Sequence, residues 1–293
     1  MKVAVAKYPV EAPADFEAFA AKQARLLQQA AEAGAQVAVL PEYLSLELGA
    51  SFGADVRGDF PASLAALQAL HAPWLELFGS LAMRLRLHVQ AGTFLLDTGN
   101  GRYRNRAYWF TPDGRHGFQD KLQLTGFEKQ AGMIDGGDAL KVFDAGGTRI
   151  GMSVCYDSEF PLPVRAQCEA GARLIAVPSC TDTEAGATRV RVGCLARALE
   201  NRCFIAQAVT AGVAEWSPAL DANTGEAAVY APMDRDLPAD GVLAQTHGTQ
   251  PWAFADLDFA ALEASRAHAQ VANDRDWPGQ LAPALVRASV EAL

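Results

Sequence analysis

The sequence predicts an α/β fold, a four-layer α-β-β-α sandwich built on two mixed β-sheets. Three observations lead there. Apolar strand-like runs alternate with amphipathic helical stretches along most of the chain, the rhythm of crossover units. Between His88 and Lys121 three strand-like runs follow one another across turns rich in Gly and Asn, so hairpins must coexist with crossovers. The strands are also too many for one ordinary open sheet, which favours two stacked sheets covered by helices.

Taken in order, Lys2 to Pro9 reads as a strand. Asp15 is placed to cap a helix running to about Ala33, with Gly34 as its stop. Gln36 to Glu42 is a buried strand ending in a carboxylate, and Ser63 to Leu87 has helical periodicity that Pro73 should kink or split. The three successive strands are His88 to Asp97, Arg102 to Pro112 and His116 to Lys121. Val142 to Ala145 and Arg149 to Cys155 form a hairpin across Gly146 and Gly147. Helix and strand then alternate through Pro163–Ala170, Leu174–Pro178, Thr188–Asn201 and Cys203–Val209, with late strands at Ala227–Ala231 and Trp252–Leu257. Residues 1–264 are expected to form the main domain. Residues 265–293 carry a polar break at Asn273–Pro278 and are expected to end in a short amphipathic helix, packed on the body or on a partner subunit.

The 293 residues are 50% hydrophobic and 20% charged, enough apolar material for a large core in an ordered protein. A net charge of −9 and the absence of any Lys/Arg run argue against a nucleic-acid partner. No stretch of about 18 apolar residues is present, so no membrane span is expected. The first residues run straight into a strand pattern without a signal-peptide profile, which places the expected location in the cytoplasm. Five cysteines, an odd number with no CxxC pair, read as reduced thiols and not as a disulfide framework or a metal site.

Three strand-like runs end in a chemically capable side chain, in a fold class whose ligands sit beyond the carboxyl ends of strands. Val37 to Glu42 delivers a carboxylate, His116 to Lys121 an amine, and Ile150 to Cys155 a thiol. Singly, each has an ordinary explanation as a solvated loop residue or a core cysteine. Spacing alone does not bring the three together.

Their sequence context does. Leu40-Pro41-Glu42, Asp120-Lys121 through Leu124, and Cys155-Tyr156-Asp157 followed by Phe160-Pro161 resemble, in order, the three catalytic motifs of the nitrilase (carbon–nitrogen hydrolase) superfamily. Arg165, Gly171, Val177-Pro178-Ser179 and Arg197 to Asn201 extend the likeness over roughly residues 2–258. The resemblance implies the same α-β-β-α sandwich, assembled as a homodimer or a higher homo-oligomer. It implies a thiol hydrolase that takes a small-molecule substrate and needs neither metal nor organic cofactor. Cys155 would be the nucleophile, Glu42 the general base, and Lys121 the ammonium that lowers the thiol pKa and stabilises an oxyanion beside the Tyr156 backbone N–H.

Glu128, seven residues after Lys121, resembles the second active-site glutamate of some members, which positions groups without taking the main proton. The Glu often found after Phe-Pro in this family is Leu162 here. Substrate-binding candidates are Tyr156, Phe127, Ser179, Cys180, Thr181 and Trp216. True nitrilases usually follow the cysteine with Trp-Glu, so Tyr156-Asp157 points to a small amide or N-carbamoyl substrate, with a nitrile as the alternative. Two other readings remain open: a thiol enzyme using a Cys–His pair, and a catalytically silent binding protein on the same fold. The five histidines, His71, His88, His116, His247 and His268, follow no triad pattern.

Overall fold

The structure is a computed structural model that describes residues 1–285 and 287–291. β1 (Lys2–Pro9) leads through α1 (Phe16–Glu32) to β2 (Val37–Leu40). The Asp15 side chain caps α1 by accepting from the Ala18 N–H at 2.7 Å, and Phe19, Gln23, Leu27 and Ala30 form the buried face one turn apart. A 3₁₀ segment (Leu44–Ser51) then precedes α2 (Ala54–Arg57), α3 (Phe60–Leu67) and α4 (His71–Leu85). The helical stretch Ser63–Leu87, expected to be kinked or split at Pro73, is split into two helices, but not at the proline. The break falls at a 3₁₀ turn, Gln68–Leu70, and Pro73 sits in the first turn of α4, where a missing N–H leaves no helical bond unmade.

β3 (His88–Gly99), β4 (Arg102–Phe110) and β5 (His116–Asp120) form the expected antiparallel run. After them come α5 (Gly126–Ala131), β6 (Ile134–Asp135) and the hairpin of β7 (Val142–Ala145) and β8 (Thr148–Met152). Both turn glycines of that hairpin, Gly146 and Gly147, have positive φ, as a tight two-residue connection requires. The chain continues through α6 (Pro161–Glu169), β9 (Leu174–Ser179), α7 (Glu184–Asn201) and β10 (Phe204–Val213). Four short strands close the sheets: β11 (Ala222–Asn223), β12 (Ala228–Tyr230), β13 (Val242–Gln245) and β14 (Trp252–Asp256). Then come α8 (Phe259–Ala264) and α9 (Asn273–Asp276).

The strand path runs β5-β4-β3-β2-β1-β10-β9-β8-β7, and β1 is its joint. Val3 to Val5 pair in parallel with β2, whereas Lys7 to Pro9 pair in parallel with β10. The two halves therefore remain hydrogen-bonded while folding face to face, with β2 and β3 packed on β9 and β10. α1 and α4 cover one outer face, and α6 and α7 cover the other. Trp74 anchors α4 on its sheet through Phe78, Phe94, Tyr108 and Phe110, at centroid separations of 4.6–6.1 Å.

One glycine shapes the site. Gly92, at a register shift in β3 with φ +66°, lies so close to the next strand's exit that an added Cβ would stand 2.2 Å from the Pro41 carbonyl oxygen. Only glycine lets β3 and the segment carrying Glu42 approach this closely.

The expected terminal helix is absent as such. The 3₁₀ turns Trp277–Leu281 and Pro283–Leu285 and the irregular residues 287–291 take its place, and residues 286, 292 and 293 of that expectation lie outside the described residues. Arg165 of α6 contacts this tail, donating to the Asp274 carbonyl at 2.9 Å and lying over the Trp277 ring. No helix among the described residues is long and apolar enough to cross a membrane.

Candidate active site

The carboxyl ends of β2, β5, β8 and β9 converge on one cavity. Glu42 leaves β2 and is 1% exposed; its Oε1 accepts from Lys121 Nζ at 2.7 Å and from Asn105 Nδ2 at 2.8 Å. Its Oε2 accepts from the Cys180 N–H at 3.2 Å. Lys121, directly after β5, also meets Glu128 Oε2 at 2.8 Å. Glu128 forms a capping box with Thr125 at the start of α5, which fixes its direction. Its Oε1 accepts from the Tyr43 hydroxyl at 2.8 Å and from Asn105 Nδ2 at 3.1 Å. One ammonium is thus shared by two carboxylates, and one amide ties both carboxylates together.

Cys155 occupies a different local structure from the strand end expected. β8 stops at Met152, and Cys155 opens a 3₁₀ turn (Cys155–Glu159) with φ +48°. A left-handed cysteine is unusual and marks a strained turn at this position. The thiol donates to the Cys180 carbonyl at 3.6 Å, and the Ser158 hydroxyl holds the Cys155 carbonyl at 2.7 Å.

The charges are strongly interdependent. Burial raises the Glu42 pKa above the ordinary carboxylate range, against the pull of Lys121, and the Glu128 charge adds to the rise. Burial alone would lower Lys121, but Glu42 and Glu128 outweigh it and hold the ammonium protonated. Burial alone would raise Glu128, yet the Lys121 charge and its hydrogen bonds keep it below its ordinary value. Cys155 is pushed well up by burial and by the Glu42 charge, and Lys121 only partly offsets this. Lys121 thus acts on the thiol in the expected direction, but burial and the Glu42 charge outweigh it.

The cavity has a volume of about 290 Å³, and Glu42, Lys121 and Cys155 all reach its wall. Among the substrate-binding candidates, Tyr156, Phe127, Cys180 and Thr181 line it. Ser179 and Trp216 do not. Ser179 is fully buried, its hydroxyl donating to the Val177 carbonyl, because the last residues of β9 are inside the sandwich. Trp216 lines a separate small pocket with Leu46, Phe52, Phe60 and Leu67. Glu128 stands behind Lys121, off the wall.

Asn105 was not anticipated, although it leaves a signal: Tyr103, Asn105 and Ala107 form the buried alternation of β4, where an amide among apolar partners needs a polar reason. Tyr43, Glu159, Asp182, Arg189 and Asp221 also reach the wall and carry no local pattern that marks them. The five cysteines are unbridged. Among the described residues, no three His, Cys, Asp or Glu side chains gather at metal-binding spacing.

Comparison with known proteins adds an independent line. The probable hydrolase YhcX of Bacillus subtilis is 28% identical over 94% of this chain and 53% of its own length. An aliphatic nitrilase of Sinorhizobium fredii is 29% identical over 67% of this chain and 65% of that protein. Omega-amidase NIT2-B of Xenopus laevis is 23% identical over 64% of this chain and 67% of that protein. The chain thus spans between about half and two thirds of the curated relatives it matches here. Nit3 of Saccharomyces cerevisiae, a solved member of branch 10 of the nitrilase superfamily, has the same fold, with a TM-score of 0.74 at 19% identity over 94% of this chain and 96% of that one. The carbon–nitrogen hydrolase family model matches residues 2–247, nearly all of the sandwich and every residue of the buried cluster, and the chain belongs to that family.

Proposed function

We propose that the chain hydrolyses a small amide or N-carbamoyl compound through a thioester on Cys155, with Glu42 as general base and Lys121 as electrophilic partner. The observation that carries this reading is a shared wall: the Cys155 thiol and the Glu42–Lys121 pair face one cavity, with Asn105 donating to the same Glu42 oxygen as Lys121.

The electrostatics suit the chemistry. A neutral thiol attacks the carbonyl carbon as its proton passes to Glu42, whose raised pKa makes it a better acceptor than an ordinary carboxylate. The oxyanion that forms is stabilised by the Lys121 ammonium and by the Tyr156 backbone N–H. As the C–N bond breaks, protonated Glu42 returns its proton to the departing nitrogen, and ammonia or an amine leaves. Glu42 then takes a proton from water, which attacks the thioester; the C–S bond breaks and the thiol is re-protonated. The steps need no group beyond these side chains and water.

A cavity of about 290 Å³ suits a small substrate. The Tyr156-Asp157 pair and the likeness to an omega-amidase favour an amide, while the likeness to an aliphatic nitrilase keeps nitriles in the test. Ammonia release across amides, ureido acids and nitriles, with Cys155→Ala and Glu42→Gln as controls, decides it. Turnover of amides or ureido acids that both substitutions abolish is expected. Nitrile-only turnover, or turnover that survives Cys155→Ala, overturns the reading.

A further inference from the structure

Asp157 is a buried carboxylate that the proposed steps do not use. It is 2% exposed, two residues beyond the nucleophile, and is not on the cavity wall. Its Oδ1 accepts from the Gln123 N–H at 2.7 Å and the Leu122 N–H at 3.2 Å. Its Oδ2 accepts from the Leu122 N–H at 3.1 Å and the Val154 N–H at 3.3 Å. Leu122 and Gln123 directly follow Lys121, and Val154 directly precedes Cys155. One carboxylate therefore bonds both backbone segments that carry the thiol and the ammonium.

The need for such a brace is visible at Cys155. Its φ of +48° is a conformation that residues other than glycine adopt at a cost and keep only when the surroundings over-determine it. The carbonyl side of Cys155 is held by Ser158, whose own carbonyl accepts from Arg197 Nη1 at 3.0 Å. The amide side is held through Val154 by Asp157. No other side chain among the described residues hydrogen-bonds to the main chain of both segments. Burial raises the Asp157 pKa to about 6, and the three N–H donors and the nearby Lys121 charge work against that rise.

We propose that Asp157 is a positioning residue that sets the separation of the Cys155 thiol and the Lys121 ammonium by bracing the two main-chain segments that bear them. The inference rests on the hydrolysis proposed above. Its chemistry is specific: a carboxylate can accept from all three N–H groups, whereas an amide offers one oxygen and turns its NH₂ against the remaining donor.

The test compares wild type with Asp157→Asn and Asp157→Ala, following thermal unfolding, kcat and KM for an amide, and the rate of Cys155 alkylation by iodoacetamide, mapped by peptide mass. A displacement of about 1 Å in a catalytic pair costs about 100-fold in rate. For Asp157→Asn, kcat should fall by about that factor while KM stays within about threefold, and Cys155 alkylation should slow by about tenfold. Asp157→Ala should be worse than Asp157→Asn in both. If both variants lose only thermal stability and keep the wild-type kcat and alkylation rate, Asp157 is a structural residue and the inference fails. If Asp157→Ala does not fold, Asp157→Asn alone decides. If wild type turns over no amide, the proposed function fails, and the alkylation rate still decides the role of Asp157.

Discussion

Replacing Glu128 with Gln tests the electrostatic coupling inside the buried cluster. Glu42 Oε1 and Glu128 Oε1 lie 2.8 and 3.1 Å from the same Asn105 nitrogen, so an ordinary angle at that nitrogen places the oxygens about 5 Å apart. At an effective dielectric near 20, two such charges repel by about 3 kcal/mol. Removing the Glu128 charge should therefore lower the Glu42 pKa, because Glu128 is among the groups that raise it. The acid limb of the kcat/KM profile follows the free enzyme's base, so it should move to lower pH. A weaker base and a lysine that has lost one carboxylate partner should together slow turnover at the optimum by at least about tenfold. Gln can keep the capping box with Thr125 through its amide oxygen, but its NH₂ then faces the Asn105 donor where an acceptor stood, which should cost about 1–3 kcal/mol of stability. The assay is ammonia release from an amide between pH 4 and 9, with thermal unfolding measured alongside. An acid limb that stays in place or moves upward would refute the coupling.

Three further perturbations probe the framework and the mouth. Gly92→Ala should displace the Pro41–Leu44 segment and lower both stability and kcat, since its Cβ would stand 2.2 Å from the Pro41 oxygen; a variant with wild-type unfolding and turnover would show that this approach is dispensable. Lys22→Met should strand the buried Glu47, which Lys22 Nζ meets at 2.6 Å, and destabilise the fold by about 3–5 kcal/mol in chemical denaturation; a loss under 1 kcal/mol would contradict an ionised pair. Besides the buried Glu42–Lys121 pair, the charged residues lining the cavity are Glu159, Asp182 and Asp221 against Arg189, and Glu159 already pairs with Arg189 at 3.5 Å. An amide bearing an ammonium group should therefore have a lower KM than a carboxylate-bearing amide of equal length, and the opposite order would contradict this charge balance.

Much of the fold is local enough to be legible in the sequence. β1 runs from Lys2 to Pro9 as its apolar alternation indicates, the Asp15 cap and Gly34 stop delimit α1, and two glycines turn the β7–β8 hairpin. Where the reading departs, the cause is tertiary. Pro73 resembles a helix breaker in sequence and starts a helix in the structure, because the chain had already turned at Gln68–Leu70. Cys155 continues an apolar run but leaves the strand three residues early, held by Ser158 and by Asp157 acting on Val154. The site itself joins residues far apart in the chain: Lys121 reaches Glu42 across 79 residues, and the Cys180 N–H reaches it across 138. No periodicity encodes such a meeting. The family motifs implied it, and Glu128 was found the same way. The partners of Asn105 and Asp157 are visible only in the hydrogen-bond network, and Trp216 packs in a pocket of its own, off the cavity wall.

The most direct test of the central claim is the site of covalent attachment during turnover. Acid-quenching the reaction with an amide and mapping peptides by mass should reveal an acyl group on the Cys155 peptide, formed faster than product is released. An acyl group on Cys180, the other thiol on the cavity wall, would contradict the assignment of Cys155 as nucleophile. So would sustained turnover after Cys155→Ala.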